Sequence, residues 1–125
     1  MIAAFFSKAC NAADIFDSLQ IAQSREYEKY RNQFSVIHIF FNELGGRCSS
    51  YDEYIGRIEK RLIRDLKKEY PETDIGDTDS AAEALLELYA EREDARFVFV
   101  LDEWDFIFHQ SFISQTDKKE FLIFL

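Results

Sequence analysis

The chain reads as an α/β domain with a short parallel sheet flanked by helices, and three observations carry that reading. Residues 34–41 and 97–101 are apolar at almost every position, as strands buried on both faces are. Between them lie two helical stretches, each opened by a Ser-x-x-Glu pattern, Ser50 with Glu53 and Ser80 with Glu83. In that pattern the Ser oxygen and the Glu carboxylate satisfy N–H groups that a helix start leaves orphaned. One Pro and four Gly in 125 residues suit long elements joined by few tight turns.

Taken in order, residues 1–10 are expected to form a helix without an N-cap, with Ile2, Phe5 and Phe6 apolar at helical spacing. Such an opening is expected of a helix whose beginning lies outside the chain. Residues 11–19 suit a turn and short helix with Ile15, Phe16 and Leu19 inward, and residues 25–32 a short helix or loop. The first strand, 34–41, is rich in β-branched and aromatic residues. Residues 42–49, with Gly45 and Gly46, read as a loop. The next helix keeps Tyr51, Tyr54, Ile55, Ile58, Leu62, Leu66 and Tyr70 on one face. Pro71 ends it, since proline lacks the N–H that a helix needs.

Residues 72–79 form an acidic loop, and the helix after it is expected to turn Ala82, Leu85, Leu86 and Tyr89 inward. The second strand, 97–101, looks the more buried of the two and stops at Asp102-Glu103-Trp104-Asp105. After a loop, Thr116-Asp117 is expected to cap a last helix that reaches Leu125 in mid-pattern. Two strands joined through helices make a β-α-β unit, which is right-handed in nearly all proteins. Two strands are fewer than a complete α/β sheet has, so residues 1–125 are expected to be a partial domain.

A net charge of −9 argues against general nucleic-acid binding, which needs clustered cations on phosphates, and against docking on an anionic membrane. The basic residues Arg57, Lys60, Arg61, Arg64, Lys67 and Lys68 are interleaved with Glu59, Asp65 and Glu69. They read as a solvated helix face with i,i+4 ion pairs. Two widely spaced thiols, Cys10 and Cys48, fit neither a zinc site nor a disulfide framework and point to a reduced, cytoplasmic setting. The apolar run at 1–6 has no basic lead-in and is not read as a signal peptide. No apolar run approaches the length that spans a bilayer.

The chemically pointed feature is the strand that delivers Asp102 and Glu103 to its carboxyl end, the edge where α/β sheets gather ligands. An Asp there can hold Mg²⁺, directly or through water. The Glu after it can polarise a water for attack on a phosphate. Buried strands also end in acids simply because the chain has reached solvent. The companion motif, G-x-x-x-x-G-K-[ST], wraps phosphates with backbone N–H groups and a Lys, and it does not occur in this chain. The nearest glycine-rich stretch, Gly45-Gly46-Arg47-Cys48-Ser49-Ser50, has neither the spacing nor the Lys and reads as a turn.

Over most of its length the chain resembles the predicted AAA-ATPase-like family of bacteria and archaea. Met1-Ile2-Ala3-Ala4-Phe5-Phe6-Ser7 looks like the rear of the helix behind that family's Gly-Lys-Thr loop. Residues 34–42 look like its next strand, and Asp102-Glu103-Trp104-Asp105 like its Asp-Glu-Tyr-Asp Walker B segment, with Trp for Tyr. The resemblance implies a truncated P-loop NTPase-like three-layer sandwich, with Asp102 as the Mg²⁺-side acid and Glu103 as the water-polarising acid. It implies Mg²⁺ and ATP as cofactors of the complete protein, with no tight binding to this chain. The phosphate loop and later strands would lie outside it, and a restriction-endonuclease-type domain often follows in the family.

Asp-Glu-Trp-Asp also fits the D-E-x-D signature of helicase-type ATPases, a reading that needs the same loop and a basic strand-tracking surface. A non-enzymatic interaction module, acting by self-association or with the missing portion of a parent protein, is the alternative, because the flanks of strand 97–101 invite pairing. His38, within a strand, reads as packed or hydrogen-bonded. His109 could approach Asp102 but fits a solvent-facing loop. Asp74, Asp77 and Asp79 lack EF-hand spacing and read as turn residues.

Overall fold

A computed structural model describes residues 1–11, 13–45, 48–78, 80–92 and 94–125. The fold is mixed α/β, with a short two-stranded parallel sheet and helices around it. The chain divides into two compact units, Met1–Ile39 with Asp94–Asp102, and Phe40–Glu93 with Glu103–Leu125.

In the first unit, helix α1 (Ile2–Phe6) is shorter than the apolar pattern predicts. It ends because Ser7 turns extended and bridges Phe34 in parallel, with the Lys8 N–H donating to the Phe34 carbonyl at 2.8 Å. Helix α2 (Ala13–Phe16), a 3-10 turn (Gln20–Gln23) and helix α3 (Tyr27–Tyr30) follow. Phe5, Phe16 and Tyr27 are the buried core here, with Ala4, Phe6 and Ala22 packed around them. Phe5 meets Phe16 edge-on at 5.2 Å, an arrangement worth about 0.5–1.5 kcal/mol beyond burial. Ile15 and Leu19, expected inward, are exposed: the single-turn helix α2 presents Phe16 alone to this small core, and Leu19 lies beyond it, at the start of the 3-10 turn.

Strand β1 (Ser35–Phe40) pairs with β2 (Phe97–Asp102), and the Ser35 N–H donates to the Arg96 carbonyl at 2.8 Å. The continuous apolar runs predict burial on both faces. Instead both strands are only half buried, and Phe99 and Leu101 are exposed. The two-sided apolarity of these runs therefore exceeds what the strands bury.

In the second unit, helix α4 (Phe41–Gly45) replaces the expected loop and takes Phe41 from the predicted strand. Phe41 is fully buried and meets Phe121 edge-on at 5.4 Å, and packing of that ring outweighs its strand propensity. Gly46 and Arg47, part of the predicted turn, lie outside the described residues.

Helix α5 (Tyr51–Glu69) starts at Ser50, whose side chain accepts from the Glu53 N–H, and buries Tyr54, Ile58, Ile63 and Leu66. The reciprocal half of the capping box is shifted by one residue, since the Glu53 carboxylate accepts from the Ser49 N–H at 2.8 Å and from its hydroxyl at 2.9 Å. Those bonds hold the Glu53 carboxyl below its ordinary value.

Helix α6 (Ala81–Glu91) also starts at its predicted cap, Ser80, but its inward face differs from expectation. Ala81, Ala84 and Leu88 are buried, while Ala82, Leu86 and Tyr89 point outward. Two apolar stripes at helical spacing share this helix. Packing against α5 buries the stripe of Ala81, Ala84 and Leu88, and the same helix accepts the Gly76 N–H at Glu87 at 2.8 Å, while the Ala81 N–H donates to Glu59 at 3.3 Å.

After β2 comes a 3-10 turn, Trp104–His109, and helix α7 (Gln115–Phe124). Ser114, not Thr116-Asp117, caps α7. Asp117 completes a capping box by accepting from the Ser114 N–H at 2.7 Å.

Candidate functional site

Strand β2 forms where Val and Phe alternate without a turn residue, and it ends in the carboxylates that the sequence singled out. Asp102 is the last strand residue and is exposed. Side chains alternate along a strand, so Asp102 shares a face with Val98 and Val100, opposite Phe97, Phe99 and Leu101.

His38 lies on β1, and its Nε2 stands 3.6 Å from Asp102 Oδ2, with side chains 29% and 54% exposed. That exposure leaves water room to reach both groups. The parallel register therefore pairs Asp102 with the histidine of the neighbouring strand. Its sequence signal is a lone imidazole inside an apolar strand run, and register between parallel strands is not written in either run alone.

Glu103 adopts the left-handed conformation (φ 54, ψ 36). For an L-residue with a side chain this costs about 1–2 kcal/mol. It stops the strand abruptly and starts the 3-10 turn, in which the Phe106 N–H donates to the Glu103 carbonyl at 3.0 Å. Glu103 and Asp105 are exposed, and Trp104 is 45% exposed while packing edge-on against Phe108 at 5.8 Å. His109 closes the 3-10 turn, exposed.

The remaining candidates are positioned as follows. Asp74 and Asp77 are exposed, the Asp74 N–H donates to Glu91 at 3.3 Å, and Asp79 lies outside the described residues. Among the described residues no group of three His, Cys, Asp or Glu could hold a metal ion. Cys10 and Cys48 are in no disulfide, and burial raises the Cys48 thiol above its ordinary value.

On α5, Arg57, Lys60, Arg61 and Arg64 line an open depression of about 500 Å³. Acids meet most of these cations: Arg57 to Glu53 at 2.6 Å, Arg61 to Glu43 at 3.5 Å, Arg64 to Asp65 at 3.2 Å. The face carries ion pairs as expected, but of the interleaved acids only Asp65 pairs in these contacts; Glu53 and Glu43 supply the others, and Glu59 accepts from the Ala81 N–H instead. No helix among the described residues is long and apolar enough to cross a membrane.

The donor set fits a divalent cation in part. Mg²⁺ is commonly held by one or two carboxylates with water and phosphate completing the shell, and Asp102 offers an exposed carboxylate for that. The phosphates of a nucleotide have no glycine-rich cradle with a Lys anywhere in the sequence.

A family model described as predicted AAA-ATPase matches residues 1–125. No curated protein and no solved structure matches the chain.

Proposed function

The chain belongs to the AAA-ATPase-like family, and from that premise we propose that it supplies the Walker B segment of an ATPase domain and does not hydrolyse ATP alone. Asp102 is the Mg²⁺-side acid, and Glu103 is the base that polarises the attacking water. When bound, Mg²⁺ would neutralise charge on the phosphates. The observation that carries this reading is the position of Asp102 at the carboxyl end of β2, beside the parallel strand β1, where α/β folds collect ligands. The phosphates would be held by a loop outside this sequence, since G-x-x-x-x-G-K-[ST] is missing from it.

Calorimetric titration of the chain with Mg²⁺ and ATP, alongside Asp102→Ala, tests the reading. No saturable heat with ATP is the expected result. Saturable ATP binding that disappears in Asp102→Ala would overturn the need for a phosphate loop from outside this sequence while keeping Asp102 in its role.

A second reading, self-association through β2, is favoured by one observation: Phe99 and Leu101 are 46% and 39% exposed on a strand with no described neighbour on its outer edge. Unpaired apolar strands recruit other chains. Light scattering at micromolar concentration should give a dimer or larger, shifted toward monomer by Phe99→Lys. A sharp monomer peak for the unaltered chain would remove this reading.

A further inference from the structure

Opposite its buried stripe, α5 exposes Arg57, Lys60, Arg61, Arg64 and Lys68, and four of these line the open depression. Lys60, Arg64 and Lys68 stand four residues apart, a row with a step of about 6 Å along the helix. Neutralisation of this face is uneven. Arg57 and Arg61 meet Glu53 and Glu43, and Arg64 reaches its sequence neighbour Asp65. Lys60 and Lys68 have no partner among the described residues. Gly56 begins the same row, and a Cβ there would meet nothing within 4 Å. Glycine weakens a helix relative to alanine, and bare backbone at this point admits the close approach of a second helix.

Helix α6 carries the complementary charge. Its residues include Glu83, Glu87 and Glu91, four apart, and no Lys or Arg. Each takes a hydrogen bond on one carboxylate oxygen, from the Thr78 hydroxyl, the Gly76 N–H and the Asp74 N–H. None has a cationic partner among the described residues. The adjacent row is Ala82, Leu86 and Ala90, and Leu86 and Tyr89 are 71% and 55% exposed.

We propose that the chain self-associates through these two faces, the cationic row of α5 in one copy seated on the acidic and apolar face of α6 in another. Rows at i,i+4 spacing interdigitate in the commonest helix–helix packing. Lys60, Arg64 and Lys68 then come against Glu83, Glu87 and Glu91 at matching steps. The aliphatic stems of the cations cover Leu86, and a guanidinium over the Tyr89 ring adds a cation–π contact. Exposed ion pairs are individually weak, so the covered apolar pair supplies affinity and the charges select the face. A nucleic-acid strand is the poorer occupant, because Glu43, Glu53 and Asp65 stand among the cations and would face its phosphates. The contact is independent of Asp102 and of the edge of β2. At concentrations where the monomer prevails the α6 stripe is bare, and Leu86 variants then leave stability nearly unchanged.

Sedimentation velocity at micromolar concentrations tests the contact, in a Phe99→Lys background that removes pairing through β2. The Phe99→Lys chain should still associate, and salt at about 1 M, where the screening length is about 3 Å, should weaken that association. Lys60→Glu together with Arg64→Glu in one variant, and Leu86→Lys in another, should each weaken it about tenfold or more. All three positions are exposed, and circular dichroism of each variant at low concentration should match that of the parent. Because the two faces differ, a mixture of the two variants keeps one intact α5–α6 contact and should recover association as a heterodimer.

A Phe99→Lys chain that stays monomeric overturns the proposal and leaves pairing through β2 standing. Association that survives both variants, or is lost in both without recovery on mixing, overturns it as well. A monomer that binds a fluorescent DNA duplex through Lys60 and Arg64 replaces the second copy by nucleic acid.

Discussion

The Tyr54 hydroxyl donates a 2.9 Å hydrogen bond to the main-chain carbonyl of Phe41, and both residues are fully buried. The bond ties the long helix α5 to the residue that follows β1. Tyr54→Phe keeps the ring and its packing but leaves the buried carbonyl short of a donor. The expected loss is about 1–3 kcal/mol, read as a lower urea midpoint with an unchanged slope.

The same residue predicts an alkaline limit to stability. Burial pushes the Tyr54 hydroxyl well above its ordinary value, and burial also raises Tyr51. A phenol is neutral when protonated, so the folded chain holds this proton more tightly than the unfolded chain does. The associated stability is fully present below about pH 10, the unfolded value, and is lost as pH rises beyond it. Thermal melts across that range should fall steeply for the unaltered chain and less steeply for Tyr54→Phe.

Asn32 holds the end of α1 from a left-handed backbone (φ 56). Its Nδ2 donates to the Ala4 carbonyl at 3.1 Å and to the Ser7 carbonyl at 2.7 Å. Asn32→Ala loses both bonds and places a Cβ residue with no compensating bond in a left-handed conformation. Asn32→Gly loses the bonds but not the backbone fit, and should be the more stable of the two by about 1 kcal/mol. Equal denaturation midpoints for the two variants would contradict this account.

For α7, the capping assignment is measurable. Ser114→Ala should cost about 1 kcal/mol by removal of the cap, whereas Thr116→Ala, at an exposed position inside the first turn, should stay within about 0.5 kcal/mol. The reverse ranking in chemical denaturation would restore the cap expected from sequence.

The orientation of α6 gives a matched pair. Leu88 is fully buried and Leu86 is 71% exposed. Leu88→Ala should cost about 2–5 kcal/mol and Leu86→Ala no more than about 0.5 kcal/mol. Comparable losses at both positions would mean that the outward stripe is covered in solution.

What the sequence determined by itself was local or periodic. The Ser50 and Ser80 caps depend on residues three apart, and the strand ending at Asp102 on an apolar run meeting charge; the repeat over α5 marked Tyr54, Ile58, Leu66 and Tyr70 as buried but missed Ile63, which is buried while Leu62 is only half covered. What the tertiary structure decided was every choice between locally equivalent options. Phe41 suits strand or helix alike, and the core around Phe121 takes it into α4. Ala82 and Leu86 make as good a stripe as Ala81 and Leu88, and packing of α6 against α5 buries the second one. The candidate site divides the same way. Asp102 and Glu103 were legible because they interrupt an apolar strand. The nearness of His38 to Asp102 was not, because the register of two parallel strands far apart in sequence is fixed only when the ladder between them forms.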